Sequence, residues 1–234
     1  MNVMNRHESL SYPVAGGVNL QQIMRQVYIW MSLGMLLTAA TAYITVNTSL
    51  INLAANPIIL LVAVVAEFGL VMGISFGFTR LSPRVAATLF FVYAALNGFT
   101  LSIVLLAFST VSVFVAFVVT AALFGAMSIV GYTTKMDLSK MGTYVTMGLI
   151  GLIIAMVANI FVHSGPLDTL ISMAGVLIFT ALTAYDTQRI GRMAAEMSVK
   201  GDAMAKLGIF GALKLYLDFI NMFLFVLRLI GRRR

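Results

Sequence analysis

Asp186 in the run ALTAYDTQ and Asp218 in LYLDFINMF are carboxylates set inside apolar stretches long enough to cross a membrane. A charged side chain near the bilayer centre costs roughly 2.5 to 3.5 kcal/mol on insertion scales, so an intramembrane acid marks a functional site by default. Two carboxyls close together in a low dielectric cannot both ionise easily, and such a pair shares one proton. Losing that proton as pH rises leaves two repelling charges, unless a cation or a basic side chain enters. This is the chemistry of a pH-gated ion path.

The neighbours of the two acids fit that chemistry. Thr180, Thr183 and Thr187 fall on the Asp186 side of their segment, with Tyr185 and Gln188 close to its end. In the last segment Lys214, Asp218, Asn221, Phe225 and Arg228 follow spacings of 4, 3, 4 and 3, which places them on one helical face. A polar stripe of that length should not face lipid, so this helix is expected at the centre of the bundle, enclosed by the others. A plainer role for the stripe is a Lys214–Asp218 or Asp218–Asn221 contact that only holds the helix in place. Thr180, Thr183 and Asn221 are the candidates to line a polar path. Asp186 and Asp218 offer carboxylate oxygens to any hard cation that enters. With no EF-hand-like loop in the chain, that binding is expected to be weak and transient.

A third intramembrane acid, Glu67, stands ten residues beyond Pro57. Gly69, Gly73 and Gly77 follow it at intervals of four, a small-xxx-small run that permits close helix packing. Glu67 is rotated about 200° from Gly69, so one face is expected to pack tightly while the other presents the carboxylate. Its expected partners are Lys214, Arg228 or the aspartate pair; alternatively it is a protonated, hydrogen-bonded acid.

The elements that must position these groups are helices. Of 234 residues, 61% are hydrophobic and 10% charged, and the mean hydropathy is +1.00. That composition defines an all-α polytopic membrane protein. Apolar segments run over 27–46, 57–79, 85–107, 112–133, 142–163, 168–188 and 207–230, each near the ~20 residues needed to span the hydrocarbon core. Ala40-Thr41-Ala42 resembles a signal-peptide cleavage site, but the apolar run before and around it is longer than a signal core, so the first helix is expected to be retained. Pro57, Pro83 and Pro166 fall at segment starts, where the missing N–H costs nothing. The organisation expected is a polar cytoplasmic tail over 1–26, a seven-helix domain over 27–230 and a basic tail over 231–234.

Charge sets the orientation. Arg6 and Arg25 precede the first segment, and Arg80, Arg84, Lys135, Lys140, Arg189, Arg192, Lys200 and Lys206 fall in alternate connections. The intervening connections carry no Lys or Arg, so the N-terminus and the basic loops belong in the cytoplasm. The net charge of +7 reflects this topology and not nucleic-acid binding. A seventh crossing puts Arg232, Arg233 and Arg234 on the far side, against the same rule. A re-entrant last segment would avoid that, but membrane-depth irregular backbone needs burial, and seven crossings are favoured.

The runs GYTTK (131–135), ALTAYDTQ (181–188) and LYLDFINMF (215–223), in this order among the apolar segments, resemble the transmembrane Bax-inhibitor-motif family, in particular its bacterial inner-membrane members. The resemblance covers the chain from about residue 20. It implies a seven-helix fold with six helices around the last, and a pH-sensitive calcium leak whose di-aspartyl sensor is Asp186 with Asp218, the same two carboxylates being the candidate ligands of calcium in transit. It also implies supporting roles for Glu67 and Arg228, and a closed-state latch at Arg80.

Other chemistry finds little support. Cysteine is absent, which excludes disulfides, thiolate metal sites and a cysteine nucleophile. His7 and His163 are too far apart to suggest a metal site, and no HExxH or Walker loop is present. An intramembrane aspartyl protease would need a carboxyl dyad too, but no GxGD-like motif occurs, so no enzyme and no resident cofactor is expected. The serious alternative is a non-conducting regulator that binds a membrane protease or another stress-response partner through its N-terminal tail. A monomer in the lipid bilayer, handling calcium ions and protons, suffices if the path lies inside the bundle.

Overall fold

The computed structural model describes residues 20–77, 80–196 and 202–232. These form α1 (Leu20–Asn47), α2 (Leu50–Ala54), α3 (Pro57–Gly77), α4 (Pro83–Leu106), α5 (Thr110–Thr133), α6 (Ser139–Val162), α7 (Gly165–Glu196) and α8 (Asp202–Ile230). All but the short α2 are long and apolar enough to cross a membrane.

The helix starts follow from local chemistry. Asn56 Oδ1 accepts from the Ile58 and Ile59 amides ahead of α3, and Ser82 caps α4 by accepting from the Val85 amide, with proline in the first turn of both helices. Ser164 Oγ accepts from the Leu167 amide at the start of α7. The acidic Asp168 stands in the first turn of α7 and the basic Arg228 in the last turn of α8, each matching its helix dipole.

The boundaries differ from the expected ones in three places. α1 begins at Leu20, ahead of the tail boundary expected at residue 26, because Ile23, Met24 and Val27 are buried on the bundle. Arg6, His7, Lys200, Arg233 and Arg234 lie outside the described residues. The connection after α1 contains the single extra turn of α2. α7 and α8 extend well past their apolar cores, to Glu196 and back to Asp202.

The last helix is the most enclosed. Of its most apolar window 72% is buried, against 11% for α3 and for α6. The enclosure is the work of four main neighbours, α1, α4, α5 and α7, and not of all six remaining long helices. α3 instead packs on α4 and α2, and α6 packs on α7. The outer position of α3 also overturns its expected glycine seam. A Cβ added at Gly69 or Gly73 would meet nothing, because these residues face away from the bundle. The close helix approaches are elsewhere: a Cβ at Gly98 would run into the Thr38 carbonyl oxygen, and one at Gly131 into the Ala184 carbonyl oxygen.

α8 runs unbroken to Ile230, and the chain beyond it is fastened to the α4–α5 connection. The Ser109 amide donates to the Arg232 carbonyl at 3.1 Å, and the Arg232 amide donates to Ser112 Oγ at 3.0 Å. Arg232 therefore sits at the end of the bundle that carries the uncharged connections, opposite Arg189 and Arg192.

Candidate functional site

α7 and α8 pack along their length, and the polar stripe of α8 faces α7. At one end Lys214 Nζ lies 3.6 Å from Asp186 Oδ2, and at the other Arg228 Nη1 lies 3.9 Å from Asp168 Oδ1. Asp168 and Asp186 are about five turns apart on α7 and so share a face. Between the two ion pairs, Phe179 stacks on Phe225 with ring centroids 5.9 Å apart, and Thr180 Oγ1 lies 3.9 Å from Met222 Sδ. The contact expected as internal to α8, from Lys214 to Asp218, is replaced by one across the helix seam.

Asp186 and Asp218 are both buried, each 4% exposed. Their charges act on one another, Lys214 acts on both, and Arg189 acts on Asp186. One oxygen of each carboxylate, Asp186 Oδ1 and Asp218 Oδ2, has no hydrogen-bond partner among the described residues, and the same holds for the buried hydroxyl of Thr187. Unsatisfied buried oxygens are costly and call for a proton, a water or a cation. Among the described residues no group of three or more His, Cys, Asp and Glu side chains stands ready to hold a metal. The oxygens left without a partner here, among the described residues, are one from each of the two carboxylates and that of Thr187.

The remaining candidates are placed as follows. Thr183 is buried on α7 with its hydroxyl bonded to the Phe179 carbonyl, and Asn221 on α8 donates to the Leu217 carbonyl. Arg80 is exposed in the α3–α4 connection, and the cations acting on Asp186 are Lys214 and Arg189 instead. Arg189 follows Asp186 by one helical turn, a spacing that marks it as a neighbour on the same face.

Glu67 joins a different network. Its Oε1 accepts from Thr100 Oγ1 at 2.7 Å and its Oε2 from Asn97 Nδ2 at 3.4 Å, both on α4. These replace the expected Lys214, Arg228 or aspartate partners, because α3 packs on α4 and not on α8. Beyond Asn97 the network continues inward: Tyr216 Oη of α8 donates to Asn97 Oδ1 at 3.0 Å and lies 2.6 Å from Thr38 Oγ1 of α1. Thr38, Asn97, Thr100 and Tyr216 were not singled out by sequence; only Tyr216, inside LYLDFINMF, carried a signal.

The end of α7 beyond Asp186 grips the α5–α6 connection. Gln188 Nε2 donates to the Met136 carbonyl at 2.7 Å and Gln188 Oε1 accepts from the Leu138 amide at 2.9 Å. Arg192 bonds Ser139 Oγ and Gln188 Oε1, and pairs with Asp137 Oδ1 at 2.6 Å. The Ser139 amide and hydroxyl and the Arg192 guanidinium hold the Asp137 carboxyl down at about 2.

Seven long apolar helices, the most enclosed of them carrying a buried acid on the side of a second buried acid, define a polytopic helical membrane protein. Residues 20–234 match the family described as "Inhibitor of apoptosis-promoting Bax1", and the chain belongs to this Bax-inhibitor family. It is 41% identical to the inner membrane protein YbhL of Escherichia coli over the full length of both chains. It is also 44% identical to an uncharacterised protein of Deinococcus radiodurans and 41% identical to one of Borreliella burgdorferi. The first match covers 92% of each chain, the second 91% of this chain and 93% of the other.

Proposed function

We propose that this protein is a non-enzymatic, pH-sensitive calcium leak of the bacterial inner membrane, gated by a proton shared between Asp186 and Asp218. The observation that carries the reading is two buried carboxylates on facing helices, each with an oxygen that no described residue satisfies. With one proton between them, α7 and α8 are bridged and the path is shut. Loss of the proton as pH rises sets two like charges against each other in a low dielectric, and the seam opens.

Thr180, Thr183 and Asn221 supply polar atoms along that seam, and calcium is the cargo, held only in passing by Asp186 and Asp218. Arg228, paired with Asp168, fixes the far end of the seam. Glu67, on α3, steadies the α4 side through Thr100 and Asn97. Arg80 contributes to the basic face. The N-terminus and the end of the bundle that carries Arg84, Lys135, Lys140 and Arg189 face the cytoplasm, which follows from the alternation of charge. The protein works as a monomer in the bilayer, with no nucleic-acid partner.

Reconstitution into protein-only liposomes tests this reading. A leak conducts there without help, and continues to do so after deletion of residues 1–20. Absence of flux from folded protein would return the regulator of a membrane protease or stress-response partner, whose action should depend on that deleted tail.

A further inference from the structure

Lys214 stands one turn before Asp218 on α8 and reaches across to Asp186. Its side chain is 32% exposed, whereas that of Asp186 is 6% exposed, so Lys214 is the more open partner of the pair. It has a second partner on its own helix: Lys214 Nζ is 6.0 Å from the centroid of the Phe210 ring, one turn further from Asp218. A cation over an aromatic face is held by the ring quadrupole, which is a weaker seat than a carboxylate but available in a desolvated setting.

We propose that Lys214 is a tethered competitor for calcium: its ammonium takes the cation's place at Asp186, and a permeating ion must displace it toward Phe210. The inference deepens the leak reading and rests on it. With both carboxylates ionised, Lys214 and Arg189 already balance the local charge, since both act on Asp186 and Lys214 also on Asp218. A divalent ion entering such a site finds no net negative charge until the ammonium moves away. Lys214 thus keeps calcium binding weak and the ion in transit, because no described cluster of acids is large enough to retain it. Among the other elements packed on α8, α5 turns the neutral Ser128 inward and α1 brings Gln26 beside Gly208. The Tyr93, Tyr216 and Glu67 group gathers on the side toward α4 and α1.

The test is calcium flux into protein-only liposomes at a fixed pH of about 9, as a function of calcium concentration, for wild type, Lys214→Met, Lys214→Gln and Lys214→Arg. Removing the charge while keeping the stem should lower the half-saturating calcium concentration by about tenfold or more, and lower maximal flux as release slows. Lys214→Arg, which keeps the charge, should stay near wild type. A merely structural lysine would change the amount of active protein and not the half-saturating concentration. Lys214→Gln serves if Lys214→Met does not fold. Flux in all four proteins with the same half-saturation would overturn the role of Lys214 and leave the leak intact. No flux in any of them, including wild type, would overturn the leak reading itself and the competitor with it.

Discussion

Tyr216 and Asp218 stand two residues apart on α8 and therefore face opposite sides of the bundle. Tyr216 Oη donates to Asn97 Oδ1 of α4 at 3.0 Å and touches Thr38 Oγ1 of α1 at 2.6 Å, whereas Asp218 lies with Asp186 and Lys214 on the α7 side. One helix thus serves as an anchor on one face and carries the candidate gate on the other.

Tyr216→Phe should separate these two roles. The substitution keeps the buried ring, which meets Phe90 and Tyr93 edge-on, but strips Asn97 and Thr38 of a partner. A loss of about 1 kcal/mol of stability is expected, read as a lower Tm in detergent. The ratio of calcium flux at pH 8 to that at pH 6 should stay as in wild type. A changed ratio would show that the two faces are not independent.

Gly131→Ala should be among the most damaging glycine changes, because its Cβ would strike the Ala184 backbone carbonyl and force α5 from α7, two residues from Asp186. Overpacking against backbone is expected to cost ~1–3 kcal/mol. Gly73→Ala, with nothing near its Cβ, should change stability by less than ~0.5 kcal/mol or raise it slightly. Thermal unfolding of the two variants side by side checks this; equal effects would contradict the packing described.

The clamp on the α5–α6 connection should be indifferent to pH in the working range. The Ser139 amide and hydroxyl and Arg192 hold the Asp137 carboxyl at about 2, below its ordinary 3.8. A depressed carboxylate contributes its stability above the ordinary value and loses it as pH falls toward about 2, so nothing changes between pH 6 and pH 8. Asp137→Asn should leave the flux ratio between those two pH values unaltered. A shifted ratio would place part of the pH response in this loop.

Much of this architecture is legible in the sequence because it follows from period and punctuation. The apolar lengths, the prolines at Pro57, Pro83 and Pro166, and the Lys214-to-Arg228 stripe each depend on residues close together in the chain. The stripe faces α7 as its polarity requires. What escapes sequence reading depends on which helix lies beside which. Gly69 and Gly73 have the spacing of a packing seam, but α3 is an outer helix and turns them away. Glu67 meets Thr100 and Asn97, partners chosen by the α3–α4 pairing and invisible to any local pattern. Asp168 is an ordinary first-turn acid until α8 brings Arg228 to it. Arg189 was within reach, since it follows Asp186 by one turn.

The most direct measurement is calcium flux into liposomes containing only the purified protein, at pH 6 and pH 8, for wild type and Asp218→Asn. The substitution keeps the shape of the side chain, but the amide can neither share the proton nor carry the charge. The expected result is wild-type flux that rises from pH 6 to pH 8 and a mutant whose flux no longer depends on pH. Equal pH dependence in the two proteins would contradict gating by the Asp186–Asp218 pair.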